Sequence, residues 1–208
     1  MTSTRNGPGE AELSEAVGRT EGLQPWRRVF HAVNGSIIVL ALTAFSLPVP
    51  TATVILGVFL AMAVLLDAVR QFDPKVNTAF FRAFSYLASP REARGLASST
   101  WYILSALVVL LFFPRTYALA GILVLAWADP AASVVGQLWG RSKFLAGTIR
   151  GSATFALVAF LALIIFVPWP QAIAAAVLTT IVEAAPIKLD DNFLVPFAVA
   201  ASLFLMMG

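Results

Sequence analysis

A chain of 208 residues is long enough for one domain, but 59% hydrophobic and 12% charged residues with a mean hydropathy of +0.85 exclude water as its main solvent, since soluble domains carry roughly 25% charged residues. The absence of cysteine removes disulfides, thiolate metal sites and cysteine nucleophiles, and a single histidine argues against a His-based zinc site. The net charge of +3 comes from basic residues that flank apolar runs, so it marks topology and not a nucleic-acid footprint.

Residues 1–25 mix Gly, Ser, Thr, Glu and Arg without an apolar period, which predicts a disordered cytoplasmic tail. Residues 26–208 then form a single transmembrane domain. Arg27 and Arg28 precede the first apolar run; with a charged tail ahead and more apolar runs behind, that run reads as an uncleaved anchor and not as a signal peptide.

Apolar segments near the ~20 residues needed to cross the bilayer fall at about 31–48, 51–69, 97–113, 116–138, 151–168, 171–187 and 192–207. The expected fold class is therefore an all-α, polytopic membrane bundle of about seven transmembrane helices. Short separators at Pro48-Val49-Pro50, Pro114-Arg115 and Pro168-Trp169-Pro170 suit tight helical hairpins. Residues 76–94 differ, because Phe80, Phe81, Phe84 and Leu87 recur at helical spacing among Arg82, Arg91 and Arg94, the pattern of an interfacial amphipathic helix. Asp67 and Arg70, one turn apart, are expected to pair at the interface.

With the N-terminus inside, all 14 Lys and Arg residues except Arg115 lie on the cytoplasmic side. The acids gather there too. Asp129 and Glu183 each fall roughly 20 Å in from the outer boundary at 1.5 Å per residue, at a common depth where an ionisable group is costly unless it faces a polar cavity or a cation. Pro130 is expected to break or kink its helix and free carbonyls near Val124 to Ala126. Asp129 and Glu183 could also pair with Arg or Lys simply to fasten helices.

The next loop carries Gly136, Gly140, Arg141, Lys143, Gly147, Thr148, Arg150, Gly151 and Ser152. Glycines let backbone approach a bulky anion, hydroxyls donate to it, cations neutralise it, and Gly151-Ser152 open a helix toward it. The loop is a candidate phosphate cradle, although Gly136 and Gly140 also fit helix packing. It is neither a Walker A loop nor a dinucleotide fingerprint. Asp190, Asp191 and Asn192 add oxygen ligands on the same face, of the kind that Mg²⁺ takes together with nucleotide phosphates; a solvated loop of Asp190 and Asp191 with Asn192 capping a helix is the alternative. Together these groups point to phosphoryl transfer from a cytosolic nucleotide to a lipid alcohol, a carboxylate accepting the hydroxyl proton.

Four ordered blocks carry a resemblance: Asp129-Pro130-Ala131-Ala132-Ser133 on to Gly136, Gly140 and Arg141; Thr148 to Ser152; Val182-Glu183-Ala184-Ala185-Pro186; and Asp190-Asp191-Asn192 on to Pro196. Over about residues 120–200 they resemble the CTP-dependent polyprenol kinase family, which includes dolichol kinases, phytol kinases and fungal-type diacylglycerol kinases. Arg27 to His31 resembles the basic-His start of that family's first core helix. The resemblance implies that Asp129, Glu183 and His31 are catalytic, that Ser133, Gly136, Gly140, Arg141, Lys143, Thr148, Arg150, Gly151 and Ser152 bind nucleotide phosphates, and that Asp129, Glu183, Asp190, Asp191 and Asn192 hold Mg²⁺. CTP is then the donor and a membrane lipid alcohol such as phytol, a polyprenol or diacylglycerol the acceptor. Ala128 and Gly147 stand where family members usually carry Gly and Lys, and Lys143 or Arg150 could supply the missing charge. A CDP-lipid-forming cytidylyltransferase and an ion-coupled transporter are the alternatives.

Overall fold

The computed structural model describes residues 8–208. Helices occupy the seven predicted places: α2 (Pro25–Thr43), α3 (Val49–Phe72), α5 (Ser98–Phe112), α6 (Arg115–Trp139), α7 (Ile149–Leu163), α8 (Trp169–Ala184) and α9 (Asp191–Met207). Proline sets their starts, because its fixed φ and missing N–H suit the first turn. It lies at N1 or N2 in α2, α3 and α8, and Pro114 precedes α6. By length and composition α3 and α6 can each cross a membrane. The two differ in surroundings. On α3, Val54, Val58, Met62 and Leu65 are exposed, an apolar surface that hydrocarbon would cover.

The core centres on α6, whose residues from Ala118 to Ala126 are all buried. It packs against α7, α9 and α2. Gly35 allows the α2 approach, since a Cβ there would meet Ala126 Cβ at 2.6 Å. At one end of the bundle Arg115 donates to the Leu42 carbonyl, which joins the start of α6 to the end of α2. Of the break or kink expected at Pro130, no break occurs: α6 runs through it, and the proline leaves the Ala126 carbonyl without its i+4 backbone donor.

Three further differences concern the polar end. Residues 1–7 of the expected tail lie outside the described residues, but from Pro8 to Gly18 the chain forms α1. Leu13, Ala16 and Val17 recur at helical spacing and pack on Phe81 and Ala88, and Glu12 pairs with Arg82 at 3.1 Å. The amphipathic helix expected over 76–94 is shorter: α4 (Pro74–Ala83) ends before a turn and a 3-10 segment at Pro90–Arg94, because Pro90 biases Ser89 to the extended conformation it adopts. The glycine-rich loop after α6 folds as a small hairpin, β1 (Lys143–Phe144) against β2 (Gly147–Thr148).

Asp67 and Arg70 do pair, at 2.6 Å, but in the interior, with both side chains buried. Arg70 also donates to Asn77 Oδ1 and to the carbonyls of Glu92 and Gly95, with its guanidinium 4.7 Å from the Phe80 ring centre. Asp67 accepts from Ala97 N–H and the Thr100 hydroxyl. A buried ion pair persists only when its remaining valences are filled. Here the fillers come from the 92–100 segment, so the pair fixes that segment across the end of the bundle.

Candidate active site

That end holds a polar cavity of about 680 Å³, within the usual range of small-molecule sites. Four stretches of chain converge on it. The start of α2 contributes Arg27, Arg28 and His31; the segment fixed by Asp67 and Arg70 contributes Glu92 and Ser98; α6 contributes Asp129 and Ser133; the start of α9 contributes Asp190, Asp191 and Asn192. Antiparallel helices bring these together, since α2 and α9 start where α6 ends.

Arg27 is held by its surroundings. Its Nη2 donates to Ser98 Oγ at 2.6 Å and lies 3.7 Å from Glu92 Oε1, and Ser98 in turn donates to that oxygen at 2.8 Å. Burial pushes the Glu92 carboxyl above the usual carboxylate range, against the downward pull of Ser98 and Arg27. Arg28 is less completely satisfied: Nη2 donates to Ser133 Oγ at 2.7 Å, while Nε and Nη1 are buried without a partner among the described residues. Buried donors of a cation left open toward a cavity are what an anion would fill.

The acidic side is built around Asp129, which lies within electrostatic reach of Asp190, Asp191, Arg27 and Arg28. Asp190, and not Asn192, caps α9, accepting from Asn192 N–H at 3.0 Å and from Asn192 Nδ2 at 2.6 Å. Among the described residues no group of three or more His, Cys, Asp or Glu side chains is close enough to hold a metal. Mg²⁺ usually needs only one or two carboxylates beside substrate phosphates, and the oxygen donors along this cavity fit that lesser requirement.

His31 sits in the cavity wall, buried, with its ring 5.3 Å from that of Tyr102 in edge-on contact. Thus the structure brings His31, Asp129, Ser133, Asp190, Asp191 and Asn192 into one cavity. Glu183 is not in its wall; the carboxyl is half-buried near Asp129 and Asp191, and Oε2 has no partner among the described residues.

The glycine-rich block packs beside the cavity and does not line it. Thr148 Oγ1 accepts from Gly151 N–H at 3.1 Å as the cap of α7. A Cβ at Gly140 would meet that hydroxyl at 2.6 Å, and one at Gly136 would meet it at 3.1 Å, so these glycines admit close packing of α6 on α7 and its cap. Arg150 Nη1 donates to the Trp139 carbonyl at 3.0 Å, satisfying the end of α6. Arg141 and Lys143 are exposed. Ser152 Oγ is buried without a partner among the described residues, and the hairpin reaches α8 through Ala146 N–H, which donates to the Ala184 carbonyl at 2.9 Å beside Glu183.

The chain is 32% identical over 130 residues to a CTP-dependent diacylglycerol kinase 1 of Eremothecium gossypii, covering 59% of this chain and 41% of the relative. It is 25% identical over 162 residues to the protein of that name in Schizosaccharomyces pombe, covering 68% and 74%. A phytol kinase of Synechocystis is 39% identical over 57 residues, 26% of this chain and 24% of the relative. The chain thus spans about two fifths of the first relative's length. No family model matches the chain, and no solved structure matches it. The resemblance to the CTP-dependent lipid kinases read from the four blocks is borne out by these relatives.

Proposed function

From its kinship with the CTP-dependent lipid kinases, we propose that this chain is a membrane enzyme that transfers the γ-phosphoryl group of CTP to the hydroxyl of a lipid alcohol of the phytol, polyprenol or diacylglycerol class. The observation that carries this reading is the cavity that gathers Arg27, Arg28, Asp129, Asp190 and Asp191 at one end of an apolar bundle. Seven helices cross the bilayer, the N-terminus is inside, and the cavity opens to the cytoplasm, a topology supported by the distribution of Lys and Arg between the apolar segments of the sequence.

In this mechanism Arg27 and Arg28 bind the triphosphate and offset the charge on the transferring group. The lipid hydroxyl oxygen forms its bond to the γ-phosphorus as the bond from that phosphorus to the β,γ-bridging oxygen breaks. Asp129 accepts the hydroxyl proton, and CDP leaves with the bridging oxygen. Mg²⁺ would be held by Asp190, Asp191 and Asn192 and would neutralise phosphate charge. His31 lies where the acceptor hydroxyl meets the nucleotide. Glu183, Ser152 and the hairpin border the site as a second tier, with Arg141 and Lys143 free to meet the nucleotide from outside.

The test is purified protein in lipid nanodiscs with Mg²⁺, γ-labelled CTP and a panel of lipid alcohols. Labelled lipid phosphate together with CDP is expected. Pyrophosphate release with a CDP-lipid product would establish cytidylyl transfer instead, and solute flux without nucleotide turnover would establish transport.

A further inference from the structure

A second cavity, of about 480 Å³, lies among α2, α3 and α5. Its wall is apolar along α2 from Ile37 to Leu42 and along α3 from Ala52 to Phe59, and its polar groups (His31, Asn34, Ser99 and Tyr102) gather at the end where α2 and α5 begin. His31 belongs to the walls of both cavities. An apolar trough with one polar end, touching the polar cavity through a single side chain, has the order of a linear amphiphile lying with its head at His31.

Length and access point to one occupant. From His31 to Leu42 the lining of α2 extends about 16 Å at 1.5 Å per residue, half of the roughly 30 Å hydrocarbon core. That is the reach of a chain lying in one leaflet. Ile55 and Phe59 form part of the wall and are 43% and 56% exposed, so the trough opens sideways toward the apolar exterior and not toward water. A soluble ligand would meet no polar group along most of its length.

We propose that this trough is the binding site for one hydrocarbon chain of the lipid alcohol, which slides in between α2 and α3 and presents its hydroxyl at His31. The proposal rests on the kinase reading for the identity of the lipid. The depth of the trough, whose far end is lined by Leu42, Leu47 and Ala52, then sets the preferred chain length.

Two measurements test it. The first compares wild type with Ala41→Phe, which narrows the trough away from the polar cavity, on long-chain and short-chain alcohols. The variant should lose at least tenfold in kcat/KM on the long alcohol, keep the short one, and keep its KM for CTP; an unaltered ratio of long to short overturns the proposal. The second needs no turnover and serves also if the variant fails to fold. A long-chain alcohol with a diazirine near its tail, added to wild type without nucleotide, should label residues 37–59, and excess unlabelled alcohol should suppress the label while phosphatidylcholine does not. Label spread evenly over outward-facing helices, or displaced equally by phosphatidylcholine, overturns it. Protein that is labelled as expected but turns over no CTP retains the trough and loses the kinase reading.

Discussion

Arg28 donates from Nη2 to Ser133 Oγ at 2.7 Å, tying the first core helix to the helix that carries Asp129, with two further guanidinium donors left open. Removing this cation should weaken nucleotide use without unfolding the bundle. Arg28→Ala is expected to lower kcat/KM for CTP by about 10- to 100-fold, matching the ~1.5–3 kcal/mol of hydrogen bonds to charged groups. Arg28→Lys should recover only part of the loss, since a point charge does not reproduce the fork. Steady-state kinetics at fixed lipid will read both, and an unchanged kcat/KM for CTP in Arg28→Ala would remove Arg28 from the nucleotide site.

The Asp67 and Arg70 pair predicts a stability effect separate from chemistry. Asp67→Asn keeps the shape and leaves the buried Arg70 charge uncompensated, a change of about 3–5 kcal/mol for a buried pair. Thermal unfolding in detergent should show a markedly lower melting temperature. Limited proteolysis should open the chain first between residues 84 and 97, because Glu92, Gly95 and Ala97 are bonded to this pair through their backbone. Protection of that segment in the variant would mean that other contacts hold it.

Gly35→Ala tests how the site is positioned. The added Cβ would meet Ala126 Cβ at 2.6 Å, forcing α2 away from α6 and Arg28 away from Ser133. Overpacking of this kind costs about 1–3 kcal/mol, and activity should fall together with melting temperature. Activity lost at full thermal stability would instead point to a direct role for the α2 backbone.

Glu92 gives a pH dependence with a defined sign. Its carboxyl is buried and its pKa raised above the ordinary value of 4.5, so the folded state binds the proton more tightly than the unfolded chain. The stability it contributes is complete below pH 4.5 and is lost as pH rises through the raised folded value. Glu92→Gln should remove that component, so the melting temperature of wild type minus that of the variant should decrease as pH rises over this window. A difference that increases with pH would mean that Arg27 outweighs burial.

Much of the framework was legible because local signals control it. Prolines at 48, 114 and 168 mark the expected tight turns and directly precede helices, and the acids at 129, 190 and 191 share one cavity because α7 and α8 return the chain to the end where α6 finishes. What was missed depended on contacts distant in sequence. Arg27 and Arg28 read as topology signals, yet they line the cavity; the basic pair one turn before His31 was the available clue. Asp67 and Arg70 read as a local pair at the interface because the partners that bury them lie at 92–100. Leu13, Ala16 and Val17 carried a helical period that the polar composition around them obscured. The glycines at 136 and 140 fitted both packing and phosphate approach, and only the position of Thr148 reveals the packing.

The most direct test of the central claim is phosphoryl transfer by Asp129→Asn, measured with γ-labelled CTP and a lipid alcohol accepted by the wild type. Position 129 keeps its shape and loses its capacity to accept the hydroxyl proton, so the rate should fall by about 10²- to 10⁴-fold, the usual contribution of general base catalysis, while CTP binding changes little. An Asp129→Asn protein that transfers phosphate at the wild-type rate would contradict the account.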